Sequence, residues 1–281
     1  MRYFYKYRKN WGETGIFAEI FVSLRQNIDK LGQVMKKYIV LSLFALLAVS
    51  ATAQKAEQGK EQAESAAKVI SMPKTEWLPS YNKVVVEGLV NVVFKQTDSN
   101  ESLKIIYDQK GATTSRFRAG VDKKGVLTIS ERPQSKEHTT VTEVTVWYNS
   151  LQGITVDGAT VVFEDVVESQ LLDLKVKSKA SLTLAINALD ALVECTGKSN
   201  MQLSGQSRYF KLSISTATMS GFDLKTMASN IDASHDAEVR ISVSERLEAI
   251  TSTSAQIYYK GEPAILRTKN SLFGGEIAAV N

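Results

Sequence analysis

The sequence predicts an all-β fold, a parallel β-solenoid with coils of about 18–21 residues. Three observations carry the prediction. From Lys83 onward the apolar residues recur with a period of two. No apolar run of convincing length at helical spacing follows residue 80. The C-terminal half repeats itself six times around a small residue.

In chain order, the first signal is a leader. Met35-Lys36-Lys37 opens a positively charged stretch, and an apolar run from Tyr38 to Val49 follows. Ser50-Ala51-Thr52-Ala53-Gln54 then supplies an A-x-A site, so residues 35–53 read as a signal peptide cleaved after Ala53. The run is shorter than the ~20 residues a membrane-spanning helix needs, and no Cys follows it to carry a lipid anchor. Residues 1–34 precede an ideal initiator, Met35, and read as a mis-assigned start. An extended export signal is the alternative, because Tyr3, Phe4, Tyr5, Tyr7 and Trp11 interleave with Lys6, Arg8 and Lys9. Either way the segment is excluded from the fold.

Residues 54–78 are polar and read as a linker, a mobile or loosely helical spacer without an apolar face. The domain is expected over 79–281. Val84, Val86, Val90, Val92 and Phe94 form an alternating set broken at Glu87-Gly88. Leu103–Tyr107, Val126–Ile129 and Val141–Trp147 follow, with turn formers at Asp98-Ser99-Asn100 and Lys124-Gly125.

The repeat aligns Ala159, Ala180, Ser199, Ala217, Ala237 and Ala255. Two positions later stand Val161, Leu182, Met201, Met219, Val239 and Ile257. Four positions later stand Phe163, Leu184, Leu203, Gly221, Ile241 and Tyr259. Five or six positions earlier stand Ile154, Leu174, Val193, Leu212, Ile231 and Ala249. Each unit is strand, small-residue turn, strand. One coil cannot bury its own apolar face, but a stack of coils makes a continuous core. The small residues are expected to permit close approach of stacked turns and unusual φ values. An antiparallel sandwich also gives regular short strands, but it leaves the fixed phase of the small residues unexplained.

Charge and composition exclude several functions. The chain has a formal net charge of +4. Residues 1–34 contribute +3 and residues 35–53 another +2, which leaves −1 for residues 54–281. Such a body has no electrostatic footprint for nucleic acid. One Cys and two His exclude a disulfide framework and a Cys/His metal cluster. His138 falls in a polar stretch and His235 in a coil turn beside Asp236, so both read as exposed. Cys195 takes the strand phase of Val156 and Val176 and reads as a buried hydrophobe. Asp157, Glu164, Asp165, Asp173, Glu238 and Glu248 are the available acids, yet no acidic phase repeats across the units. No catalytic, cofactor or metal residue is therefore assigned. Outward hydroxyls are abundant: Ser178, Ser181, Thr183, Thr196, Ser213, Ser215, Thr216, Ser252 and Ser254. They read either as a soluble face that discourages edge aggregation or as a surface for glycans or a protein.

The stretch VVVEGLVNVVFKQ (Val84–Gln96), the strand at Leu103–Tyr107, the small-residue turns and the closing YYKGEPAI (Tyr258–Ile265) together resemble the head GIN domain of auto-transporter adhesins. Asp157-Gly158-Ala159 and Thr196-Gly197-Lys198-Ser199 keep the family's turn type; the other four turns depart from it. The resemblance implies a right-handed, pectin-lyase-like β-helix with a role in cell adhesion and no established catalytic residues. The expectation is thus an exported, non-enzymatic adhesin-like protein of the periplasm or cell surface. It would need no cofactor, bind host or envelope glycans or proteins, or form a homo-oligomer, and would not insert its mature chain into a membrane. A carbohydrate-active enzyme on the same scaffold, a polysaccharide lyase or glycosidase, is the alternative.

Overall fold

The computed structural model describes residues 72–109, 117–132, 141–271 and 275–280. The leader, residues 1–34, most of the linker and His138 lie outside these. Among the described residues there are strands and one short 3-10 turn at Asn100–Ser102 but no α-helix. Coils of about 19 residues stack into a β-solenoid of about seven turns.

The regular part of the stack is made of long, bent strands: β9 (Thr160–Lys177), β10 (Ser181–Thr196), β11 (Asn200–Ser215), β12 (Thr218–Ser234) and β13 (Glu238–Thr251). Each pairs in parallel with the next, which excludes the antiparallel sandwich. The register follows the repeat residue for residue. Val161, Leu182, Met201, Met219, Val239 and Ile257 form one ladder. Ile154, Leu174, Val193, Leu212, Ile231 and Ala249 form another. Both ladders are buried, because alternation places every second side chain inside the coil.

The turns follow a different logic from the one expected. The left-handed residues are Gly158, Ser178, Lys179, Gly197, Lys198, Thr216, His235, Asp236, Thr253 and Ser254, so the conformation is not reserved for small residues. The repeating small residue comes directly after them, and all six copies are buried. It is small because it points into the tight corner. A left-handed L-residue costs roughly 1–2 kcal/mol, and the stacked turns offset this with backbone hydrogen bonds. Lys179 N–H donates to the Gly197 carbonyl at 2.8 Å and Asp236 N–H to that of Thr253 at 3.0 Å. Where the corner carries Ser199 rather than Ala, the buried hydroxyl donates to the Thr196 carbonyl.

The N-terminal part is not stacked in sequence order. Strands β2 (Lys83–Gly88) and β3 (Val90–Gln96) form one coil. Strand β2 lies between β6 (Val126–Glu131) and β8 (Gly153–Asp157), while β3 lies between β7 (Thr142–Tyr148) and β9. Residues 83–96 are thus wedged between two later segments. Gly88 links the two strands at φ +86°, where a Cβ would collide with the Glu131 carbonyl of the adjoining coil. Beyond β7 the pairing turns antiparallel: β4 (Lys104–Asp108) pairs with β7, and β1 (Lys74–Trp77) with β4. Strand β5 (Arg118–Val121) pairs antiparallel with β6. The sheet therefore reaches into the stretch read as linker. Strand β1 buries none of its side chains, so it has no apolar alternation to reveal it. At the other end β14 (Ala255–Lys260), β15 (Ile265–Asn270) and β16 (Gly275–Ala279) extend the stack.

Candidate functional site

The solenoid brings together residues that lie about 19 positions apart, and two surfaces result. The first is the turn edge. Ser178, Thr196, Ser215, Thr216, Ser252 and Ser254 collect there, exposed or half-buried. Ser181, Thr183 and Ser213 project from the flanking strands, also at least partly exposed. His235 is exposed in its turn, and its Nδ1 lies 3.2 Å from the Ser215 Oγ one coil away, not against Asp236. Among the described residues this Ser–His contact has no acid to orient the imidazole, which a nucleophile–base pair requires.

Cys195 is fully buried, and burial pushes its thiol up to about 12. A thiolate nucleophile needs the opposite shift. The acids are distributed and engaged. Glu164 pairs with Lys95 at 3.0 Å, and Asp165 accepts the Gln96 N–H at 2.7 Å. Asp157 pairs in register with Glu87 and Lys177. Asp173 lies 3.8 Å from Lys175, and Glu238 pairs with Arg240 at 2.5 Å. Glu248 accepts from Arg246 at 2.5 Å, Arg267 at 3.1 Å and Asn230 at 3.2 Å. The Arg246 hydrogen bond, helped by Asn230 and Arg267, holds its carboxyl below the ordinary value. Apart from Asp157, whose pairing is one of strand register, these acids form hydrogen bonds or ion pairs within the outer faces. Among the described residues, no three His, Cys, Asp or Glu side chains gather in a metal-binding group.

The second surface is a groove that the sequence reading did not identify. It is open to solvent, has a volume of about 890 Å³ and follows the mid-coil bends across the stack from Asn187 to Glu262. Its rungs are Asn187, Gln206, Lys225, Ser242 and Lys260, paired in register. Gln206 donates to the Asn187 side-chain oxygen at 3.0 Å. Arg208, Leu189, Met227 and Glu262 also line it. The ladder shifts register at this bend, and buried hydroxyls satisfy the interrupted backbone. Ser207 donates to the Tyr209 carbonyl at 3.0 Å, and Thr226 to the Ser242 carbonyl at 2.8 Å. The groove escaped the repeat pattern for a definite reason. Its rungs stand 7, 7, 8, 5 and 5 positions after Ala180, Ser199, Ala217, Ala237 and Ala255. Bends of variable length destroy a fixed phase.

Residues 80–263 match the family described as "Putative auto-transporter adhesin, head GIN domain". The chain belongs to this family. The match spans the interleaved coil and the regular stack, so the resemblance drawn from Val84–Gln96 and Tyr258–Ile265 holds. Three crystal structures of proteins described as a "putative adhesin" share the fold. One from Bacteroides fragilis is 16% identical, with 76% of this chain and 98% of that chain covered and a TM-score of 0.70. One from Parabacteroides merdae is 16% identical over 75% and 96%, with a TM-score of 0.61. One from Parabacteroides distasonis is 18% identical over 76% and 98%, with a TM-score of 0.57. At these identities the likeness is one of fold. No curated protein matches the chain. Among the described residues of this head GIN protein, no helix is long and apolar enough to cross a membrane.

Proposed function

We propose that this head GIN protein is an exported, non-enzymatic adhesion protein that works by presenting the faces of its coil stack. The observation that carries the reading is the in-register stacking itself. Parallel strands about 4.8 Å apart convert each outward position into a continuous ladder, and the turn edge becomes a ladder of hydroxyls. Such a surface offers many equivalent weak contacts, whose avidity grows when a ligand engages several at once. The distributed, paired acids support a binding rather than a cleaving role, because glycoside cleavage needs two carboxyls facing each other at about 5–9 Å. Export follows from the leader at 35–53, and its partners would be glycans or proteins of a host or of the envelope.

The test is binding of the purified protein to a broad array of glycans and matrix proteins, with product release from the same glycans followed in parallel. Saturable binding without turnover is the expected result. Turnover abolished by one carboxylate substitution would replace this reading with a carbohydrate-active enzyme.

A further inference from the structure

We propose that the groove along the mid-coil bends is a binding site for an acidic polysaccharide chain, one bearing carboxylate or sulfate groups. The proposal rests on the adhesion reading and assigns it a site and a ligand chemistry.

Charge is the first argument. Residues 153–270 contain four arginines, Arg208, Arg240, Arg246 and Arg267. Three of them pair with a glutamate, Arg240 with Glu238 and both Arg246 and Arg267 with Glu248. Arg208, in the groove, pairs with no acid among the described residues. Lys225 and Lys260 beside it also lack an acid partner there. Arg208 instead lies 5.5 Å from the Tyr209 ring centre, and Lys260 4.9 Å from that of Phe222. Aromatic contacts of this kind position a cation without neutralising it. Against three cations the lining holds one acid, Glu262. The rest of the body is near neutral, so this is a local anion-attracting strip rather than a general basic surface.

Shape is the second argument. The five rungs from Asn187 to Lys260 span about 19 Å at the parallel-strand spacing, which suits a chain better than a compact molecule. Lys225 and Lys260 stand two rungs apart, about 10 Å. An extended chain of pyranose rings with an acidic group on alternate sugars reproduces that spacing. Beside the cations lie groups that sugars require. The Asn187 and Gln206 amides are exposed for hydroxyls, while the exposed Leu189 and half-buried Met227 offer apolar contact for C–H faces. Tyr209 and Phe222 sit against Arg208 and Lys260 and outside the lining, so single-stranded nucleic acid, whose bases stack on aromatic platforms, is the competitor that the test must exclude.

The experiment measures binding of hyaluronate and chondroitin sulfate to the full chain at low and high salt. Dextran, poly-glutamate and single-stranded DNA are run beside them. Saturable binding of either acidic glycan, weakened by salt and absent for dextran, is expected. The triple variant Arg208→Gln/Lys225→Gln/Lys260→Gln should weaken it on the order of tenfold or more. A variant of equal charge change on another face, Lys175→Gln/Lys211→Gln/Lys269→Gln, should bind as the parent does. All six side chains are at least partly exposed, and matched thermal unfolding checks that each variant folds. Equal loss in both triple variants, equal binding of dextran, or preference for poly-glutamate or DNA would overturn the assignment. If no acidic glycan binds while the broad array still yields a ligand, the groove assignment fails and the adhesion reading stands. If neither experiment yields a ligand, both fail.

Discussion

Residues 83–148 and residues 153–260 build the same solenoid by different means. In the later region every coil stacks on its neighbour in sequence, so partners lie 17–21 positions apart. In the earlier region the coil of β2 and β3 is covered on one side by β6 and β7 and on the other by β8 and β9. Those partners lie some 40–70 positions downstream. Short-range stacking resembles the nearest-neighbour behaviour of repeat proteins, whereas the wedged coil must wait for distant strands and bear their loop-closure cost. Identical strand geometry can therefore hide different cooperativity.

Where the two regions meet, aromatic packing takes over from aliphatic ladders. Phe94 stacks on Phe163 at 4.6 Å, and Tyr148 meets both edge-on at 6.2 and 5.7 Å. Phe94→Ala should therefore have the largest effect, about 3–5 kcal/mol by urea unfolding, with loss of packing on both sides of the wedged coil. A cost no greater than that of Ile214→Val in the regular stack, about 0.5–1.5 kcal/mol, would show that the junction is not the keystone of the fold.

The next effect tests the bends of the regular stack. Gly205 has φ +97°, and a Cβ there would run into the Ile186 carbonyl one coil away. Gly205→Ala should cost about 2–3 kcal/mol from backbone strain and displacement of that rung. The same variant tests whether bend geometry shapes the groove, since Gln206 follows directly. Unchanged unfolding midpoints would mean that the bends yield easily.

Cys195 offers a pH test within the same stack. Its thiol is held up at about 12 in the folded protein, against 9.0 for an ordinary thiol. Above pH 9 the unfolded chain loses the proton while the folded chain keeps it, so stability falls as pH rises towards 12. Relative to Cys195→Ala, the parent should lose about 1.4 kcal/mol per pH unit in that window. Parallel stability curves would contradict the burial of the thiol.

The smallest effect belongs to the junction again. The Tyr148 hydroxyl is buried without a hydrogen-bond partner among the described residues, and burial pushes its pKa up. Tyr148→Phe should be neutral or stabilising by up to about 1 kcal/mol, read as a small rise in melting temperature. A loss of more than that would reveal a polar partner for the hydroxyl.

Much of this is legible in the amino-acid sequence. Alternation assigned the strands, and the phase of Ala159 through Ala255 gave the register of six coils. Burial of Cys195 also followed from phase, since period-two side chains have only two directions to point, and exposure of His235 from its place in a coil turn. Strand β1 was not legible, because an edge strand without buried side chains leaves no periodic mark. The role of the small turn residues was legible in part: Gly158, Gly197, Ser178 and Ser254 take positive φ as expected, but the aligned residue after them is small to fit its corner. Sequence alone does not separate a residue that needs φ > 0 from one that needs to be small.

The sequence by itself determined the all-β class, the coil length, the stacking register and the family, because all of these depend on local period and on contacts between consecutive units. The tertiary structure decided the rest. It wedged residues 83–96 between later strands, closed that end with antiparallel pairs, and left three unneutralised cations along one bend. Each of these depends on contacts at variable or long separation, where no repeating phase connects the partners along the chain.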